Sequence, residues 1–157
     1  MIKFDQLRDC IIKPALEKIQ IYSPNDIELL LFTCATESRG GYFLKQEGGP
    51  ALGIYQMEPV TYNDIWTNFI KFKPTLMTMM INNFGCGRVP SEDRLIYDLE
   101  FATVMCRIHY MRNHEEIPDH KDPELIWSYY KRFYNTAMGS AEKNKSLALY
   151  HQFIGKP

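Results

Sequence analysis

The chain has 157 residues, of which 45% are hydrophobic and 24% charged, a balance that fits one globular domain with its own core and excludes a disordered chain or one dependent on disulfide or metal staples. The formal net charge is −1, so no global field draws the protein to nucleic acid or to an anionic membrane surface. Cys10, Cys34, Cys86 and Cys106 form no CxxC pair and no zinc spacing; free thiols are expected, three of them buried in apolar periodic stretches.

Helix signals follow one another along the chain. Phe4, Leu7, Ile11, Ala15 and Ile19 make a helical stripe that Pro14 is expected to kink or divide. Charges at Lys3, Asp5, Arg8, Asp9 and Lys13 interrupt it, so no signal peptide is read there, and no run of about 18 apolar residues suggests a membrane span. Ser23-Pro24-Asn25-Asp26 combines an N-cap, a proline at the first helical position and an acid at the third, which starts a second helix. Its apolar face carries Ile27, Leu30, Leu31, Cys34, Ala35 and Ser38. At 100° per residue Glu37 projects about 20° from Leu30, so this carboxylate points inward.

Thr61 with Asp64 predicts a capping box that opens a helix through Ile65, Trp66, Phe69 and Phe72, stopped by Pro74. A Met-rich segment from Leu76 to Phe84 ends at Gly85, with the methionines as core filling. From Pro90, PSEDRLIYDLEFATVMCRIHYMRN predicts the longest helix, apolar nearly all round and therefore the buried centre of the domain. Asp122-Pro123 caps a further helix through Leu125, Ile126, Tyr129 and Phe133, and Ser140 caps a last one that closes before Gly155. Strand signals are confined to a small hairpin at 42–56. The expected fold is mainly α, one domain over residues 1–157.

The chemistry concentrates where the second helix ends. After Glu37-Ser38 comes a loop with Gly40, Gly41, Gly48, Gly49 and Gly53, five of the nine glycines, which lets backbone approach a bulky polymeric ligand. A carboxyl at the dry end of a helix keeps its proton to higher pH and can give it to a glycosidic oxygen. Sugars also need amide partners and aromatic faces, for which Gln56, Asn135, Tyr42, Tyr55 and Tyr134 are candidates. The alternative is a satisfied helix-end carboxylate with the aromatics in the core. His109, His114, His120 and His151 show no ligand spacing and are read as solvated; no metal or cofactor is expected.

Three separated segments, Glu37-Ser38, Gly53-Ile54-Tyr55-Gln56 with Pro59, and Phe133-Tyr134-Asn135-Thr136-Ala137, resemble the motifs of the soluble lytic transglycosylase family, in the lysozyme-like superfamily. Between them Asp98-Leu99-Glu100-Phe101-Ala102 is similar to the family's central-helix motif, so the ordered matches span residues 37 to 139. Ile54-Tyr55, Glu58, Ala102 and Ala137-Met138 depart from the family pattern.

The resemblance implies a lysozyme-like α domain that cleaves the bond between N-acetylmuramic acid and N-acetylglucosamine, with Glu37 as general acid and then base. Ser38 would orient Glu37 or cap the helix end, Gln56 would hold substrate or line the acid's pocket, and Tyr134 would hydrogen-bond near Glu37 or the substrate acetamido group. Tyr55, Glu58 and Asn135 are the other supporting candidates. A hydrolytic muramidase would add a second carboxylate, for which Glu47 and Glu58 are available, and a binding or virion structural module would use the same fold without turnover. The implied partner is peptidoglycan, met by a monomer with no nucleic acid or membrane involved. The chain looks like a bacteriophage cell-wall lysin made in the cytoplasm, released through a holin or carried on the particle.

Overall fold

The computed structural model describes residues 1–136 and 139–154, and among them the fold is mainly α, as the periodicity predicts, with no sheet. The Pro24–Ser38 helix begins at its expected cap. The Ser23 hydroxyl oxygen accepts the Asp26 N–H (3.1 Å) and its proton goes to the Asp26 carboxylate (2.5 Å), while Pro24 fills the first position, where the missing N–H would be unpaired anyway. Its expected apolar face is buried, and Leu29, Phe32 and Thr33 are buried with it. The helix lies against the Leu99–Tyr110, Pro123–Tyr130 and Lys143–Ile154 helices.

At 15 residues it is also the longest regular α-helix described. The segment after Pro90 is not one helix: it splits into Arg94–Tyr97 and Leu99–Tyr110. Asp98 leaves the helical region (φ −106°, ψ 96°), accepts the Phe101 N–H (2.9 Å) and pairs with Arg94 (2.8 Å). A capping aspartate inside an apolar pattern thus ends one helix and starts the next. The second piece is the buried centre, with Phe101 through Cys106, Ile108 and Tyr110 all inside.

Other boundaries also move. Pro14 does not divide the first helix; Leu7–Ile12 widens into a π turn, with the Lys13 N–H reaching the Arg8 carbonyl, and the helix continues as Lys13–Lys18. The wider turn makes room for the proline ring, which would otherwise press on the carbonyl four residues back. The next helix is Pro59–Asn68, opened by Pro59 and not by a Thr61 box. It stops before Phe72, which is exposed, and Pro74 opens a further helix, Pro74–Met80. Asp122 caps Pro123–Tyr130 through the Glu124 and Leu125 N–H groups (3.1 and 3.0 Å), yet Leu125 itself faces outward. The last helix starts at Lys143, beyond Ser140, and its expected stop at Gly155 lies outside the described residues. Cys34 and Cys106 are buried free thiols, whereas Cys10, expected inside, is exposed, as is Cys86.

In place of a hairpin, the 42–56 segment has two isolated bridges, Lys45 with Leu52 and Leu52 with Met57. Gly53 stands between them in the left-handed region (φ 73°), its N–H on the Leu44 carbonyl (2.8 Å). A Cβ there would overlap the Leu95 carbonyl oxygen, so the loop can approach the Arg94–Tyr97 turn only without a side chain. Gly53→Ala is expected to lower stability by about 1–3 kcal/mol, the scale of a residue held in a strained conformation. A denaturant melt checks it, and an unchanged midpoint would mean that the close approach is dispensable.

Candidate active site

Glu37 sits one residue before the end of the Pro24–Ser38 helix. Arg39 turns left-handed (φ 51°, ψ 51°) and the chain folds back, with the Gly40 N–H on the Cys34 carbonyl (3.1 Å). The buried Ser38 hydroxyl donates to the Ile54 carbonyl (2.6 Å) and accepts the Gly41 N–H (2.9 Å). It therefore ties the helix end to the loop; it makes no hydrogen bond to Glu37. The result is a partly buried carboxyl at the floor of an open cleft of about 650 Å³.

The hydroxyl that meets the acid belongs to Tyr130, which donates to Glu37 Oε1 at 2.6 Å. Burial raises the Glu37 pKa above its ordinary value, while Tyr130, Asn135 and the Lys131 cation pull it back. Burial and the neighbouring carboxylate push the Tyr130 phenol well up, so it remains a donor. Its ring is fixed by Phe32 and Trp127, 5.6 and 5.7 Å away centroid to centroid.

Of the residues singled out from the sequence, Gln56, Glu47, Glu58, Tyr134 and Asn135 line the same cleft as Glu37. Gln56 is left-handed (φ 48°) and its amide donates to the Gly53 carbonyl (2.8 Å). Glu47 and Glu58 are exposed. Tyr134 does not reach Glu37 with its hydroxyl, which donates to the Tyr55 backbone carbonyl at 2.7 Å. Tyr55 is a core residue and no part of the cleft, buried with its phenol on the Thr103 hydroxyl (3.1 Å). Tyr42 is exposed away from the cleft, and Phe43 lines it instead, with the Arg39 guanidinium 5.7 Å from its ring. Ala137, in the third matched segment, and Met138 lie outside the described residues.

Three residues escaped the sequence reading: Tyr130 and His109, which line the cleft, and Lys131, whose ammonium bonds the cleft residue Asn135. Tyr130 and Lys131 stand four residues before Tyr134 and Asn135, one helical turn along the same face, and that spacing is the signal that could have found them. His109, expected on a solvated face, lines the cleft, edge-on to Tyr134 with centroids 5.0 Å apart. Burial, helped by Arg112, lowers its pKa to about 4, so the ring is neutral, and its Nδ1 is buried without a partner.

Chemically, such an arrangement can serve to give a proton: one carboxyl with a raised pKa, hydrogen-bonded by Tyr130 and lining an open cleft. Among the described residues no group of three His, Cys, Asp or Glu side chains is placed to hold a metal ion. Comparison with protein-family models, curated proteins and solved structures finds no match to this chain.

Proposed function

We propose that the protein is a peptidoglycan-cleaving lytic transglycosylase with Glu37 as its acid and base. The observation that carries the reading is the Glu37 carboxyl, raised in pKa by burial, backed by the Tyr130 hydroxyl and lining an open cleft of about 650 Å³. The resemblance of the segments around Glu37, Gln56 and Asn135 to the soluble lytic transglycosylase family supplies the substrate. It also supports a lysozyme-like fold and the role of a bacteriophage-type cell-wall lysin.

In this mechanism Glu37 gives its proton to the oxygen between N-acetylmuramic acid and N-acetylglucosamine as the bond to the muramoyl anomeric carbon breaks. The substrate acetamido group steadies that carbon. The muramoyl 6-hydroxyl then bonds to it and returns its proton to Glu37. Tyr130, donating to Glu37 Oε1, stabilises the carboxylate between the two proton transfers.

Hydrolysis is the second reading, favoured by two exposed carboxylates, Glu47 and Glu58, on the same cleft. Mass spectrometry of a peptidoglycan digest separates the two. Muropeptides ending in 1,6-anhydro-muramic acid, each one water lighter than the hydrolytic product, are expected. Reducing ends that take oxygen from labelled water would make the protein a muramidase, and binding with no soluble product would make it a wall-docking module.

A further inference from the structure

The Lys131 ammonium donates to Asn135 Oδ1 and to the Gly139 carbonyl, both at 2.7 Å, in a partly buried site beside the acid. The Ala141 N–H adds a longer contact to the same Asn135 oxygen (3.4 Å). A lysine has three donors and no acceptor, so the Asn135 atom that faces it must be the oxygen. With that oxygen held by two donors, the amide NH₂ is left for the other side of the residue. Asn135 lines the same cleft as Glu37 and Tyr130, and its side chain lowers the pKa of both, the effect of a donor near their charged forms. Gly139 closes the arrangement, since a Cβ on it would overlap both Oδ1 and the backbone oxygen of Asn135.

We propose that Lys131 is a positioning residue of the Glu37 site: by holding Asn135 Oδ1 and the Gly139 carbonyl, it turns the Asn135 amide NH₂ toward Glu37 and Tyr130. Its positive charge adds to the same effect, because hydrogen bonds and a cation both favour the ionised acid. Burial and the Lys131–Asn135 pair therefore act in opposite directions on one carboxyl. Burial favours the protonated acid, yet the carboxylate is not left bare once the proton has gone. The role in turnover rests on Glu37 as the acid; the effect on Glu37 itself does not.

The other charged and titratable groups near Glu37 do not duplicate this. Tyr130, Tyr134, Cys106 and Tyr110, the groups of the helices around it that feel its charge, all have pKa values pushed up and are neutral. His109 is neutral as well. Arg39, Glu47, Glu58, Glu142 and Lys145 line the cleft but are exposed, where solvent screens them.

The test is a titration of Glu37 followed by carboxyl-carbon NMR, with the Asn135 side-chain amide followed in the same samples. Lys131→Met is expected to raise the Glu37 midpoint by about one unit, the lower range for loss of a neighbouring cation, and to shift the Asn135 NH₂ signals. Lys131→Gln keeps a donor but not the charge, so it should hold the NH₂ signals near the parent while the midpoint rises part of the way. Lys131→Arg should restore both. If the Met variant does not fold, the Gln and Arg variants carry the same comparison. An unchanged midpoint with unshifted Asn135 signals in Lys131→Met, or in Lys131→Gln a midpoint at the parental value, overturns the proposal. None of these readouts uses turnover, so a fully active Glu37→Gln would remove the proposed reaction and leave the result on Lys131 standing.

Discussion

Glu37→Gln is expected to fold and to lose at least ~100-fold in the rate of cell-wall clearing, the lower range for removal of a general acid. The amide keeps the shape of the side chain and its contact with Tyr130, but it has no proton of suitable acidity to give. The same substitution has an expected signature in stability. Because burial raises the Glu37 pKa above its ordinary 4.5, the native protein holds this proton more tightly than the unfolded chain does. Stability tied to Glu37 is therefore complete below about 4.5 and is lost as the pH rises through the folded value. Above the folded value the parent buries a charge that the Gln variant lacks, so in that pH range the variant should melt at or above the parental temperature. Turnover should fall on the same basic limb, as the acid form disappears. Clearing at the parental rate by a folded Glu37→Gln would remove Glu37 from the chemistry.

His109 runs the other way. Its pKa of about 4 against an ordinary 6.5 means that the unfolded chain takes up a proton first as the solution is acidified. Stability tied to His109 is present above 6.5 and lost as the pH falls toward about 4. Melts across that range superimpose the two opposite slopes, and the Gln variant isolates the histidine's.

The inward direction of Glu37 was legible because a capped helix of known start fixes the angle of every later residue. Ser23-Pro24 set that start, and Leu30 supplied the reference for the buried side. The fate of Asp98 was harder to read. An apolar pattern that continues on both sides of an aspartate fits one helix or two, and only the side chain's bond to the Phe101 N–H decides between them. His109 was misplaced for a similar reason. Its exposure depends on what covers the end of the Leu99–Tyr110 helix, and that is Tyr134, distant in sequence.

Tyr134 shows the limit most clearly. The motif around Tyr134 lies on a helical face that lines the cleft, but a face repeats every turn, and two phenols four residues apart share it. Which of them meets the acid depends on how far that helix is displaced along the Pro24–Ser38 helix. Tyr130 arrives opposite Glu37, and Tyr134 arrives opposite the Tyr55 carbonyl in the loop.

Replacing each phenol with phenylalanine should separate these roles. Tyr130→Phe removes the donor to Glu37 Oε1 and leaves the ring against Phe32 and Trp127. A hydrogen bond to a charged group is worth about 1.5–3 kcal/mol, so loss of this one from the carboxylate formed during turnover should slow the reaction roughly 10- to 100-fold. The Glu37 pKa should rise with it, because the bond favoured the ionised form, and the basic limb of the pH profile should move up. Tyr134→Phe instead leaves the Tyr55 carbonyl without the hydroxyl that satisfies it. That loss should lower stability by about 1–3 kcal/mol while turnover per folded molecule stays within a few-fold of the parent. Unfolding midpoints and pH–rate profiles on the two variants give four readings. If Tyr134→Phe moves the pH profile and Tyr130→Phe moves only the melt, the hydroxyl that serves the acid is Tyr134's, and the helix carrying both tyrosines must sit one turn away from the position described.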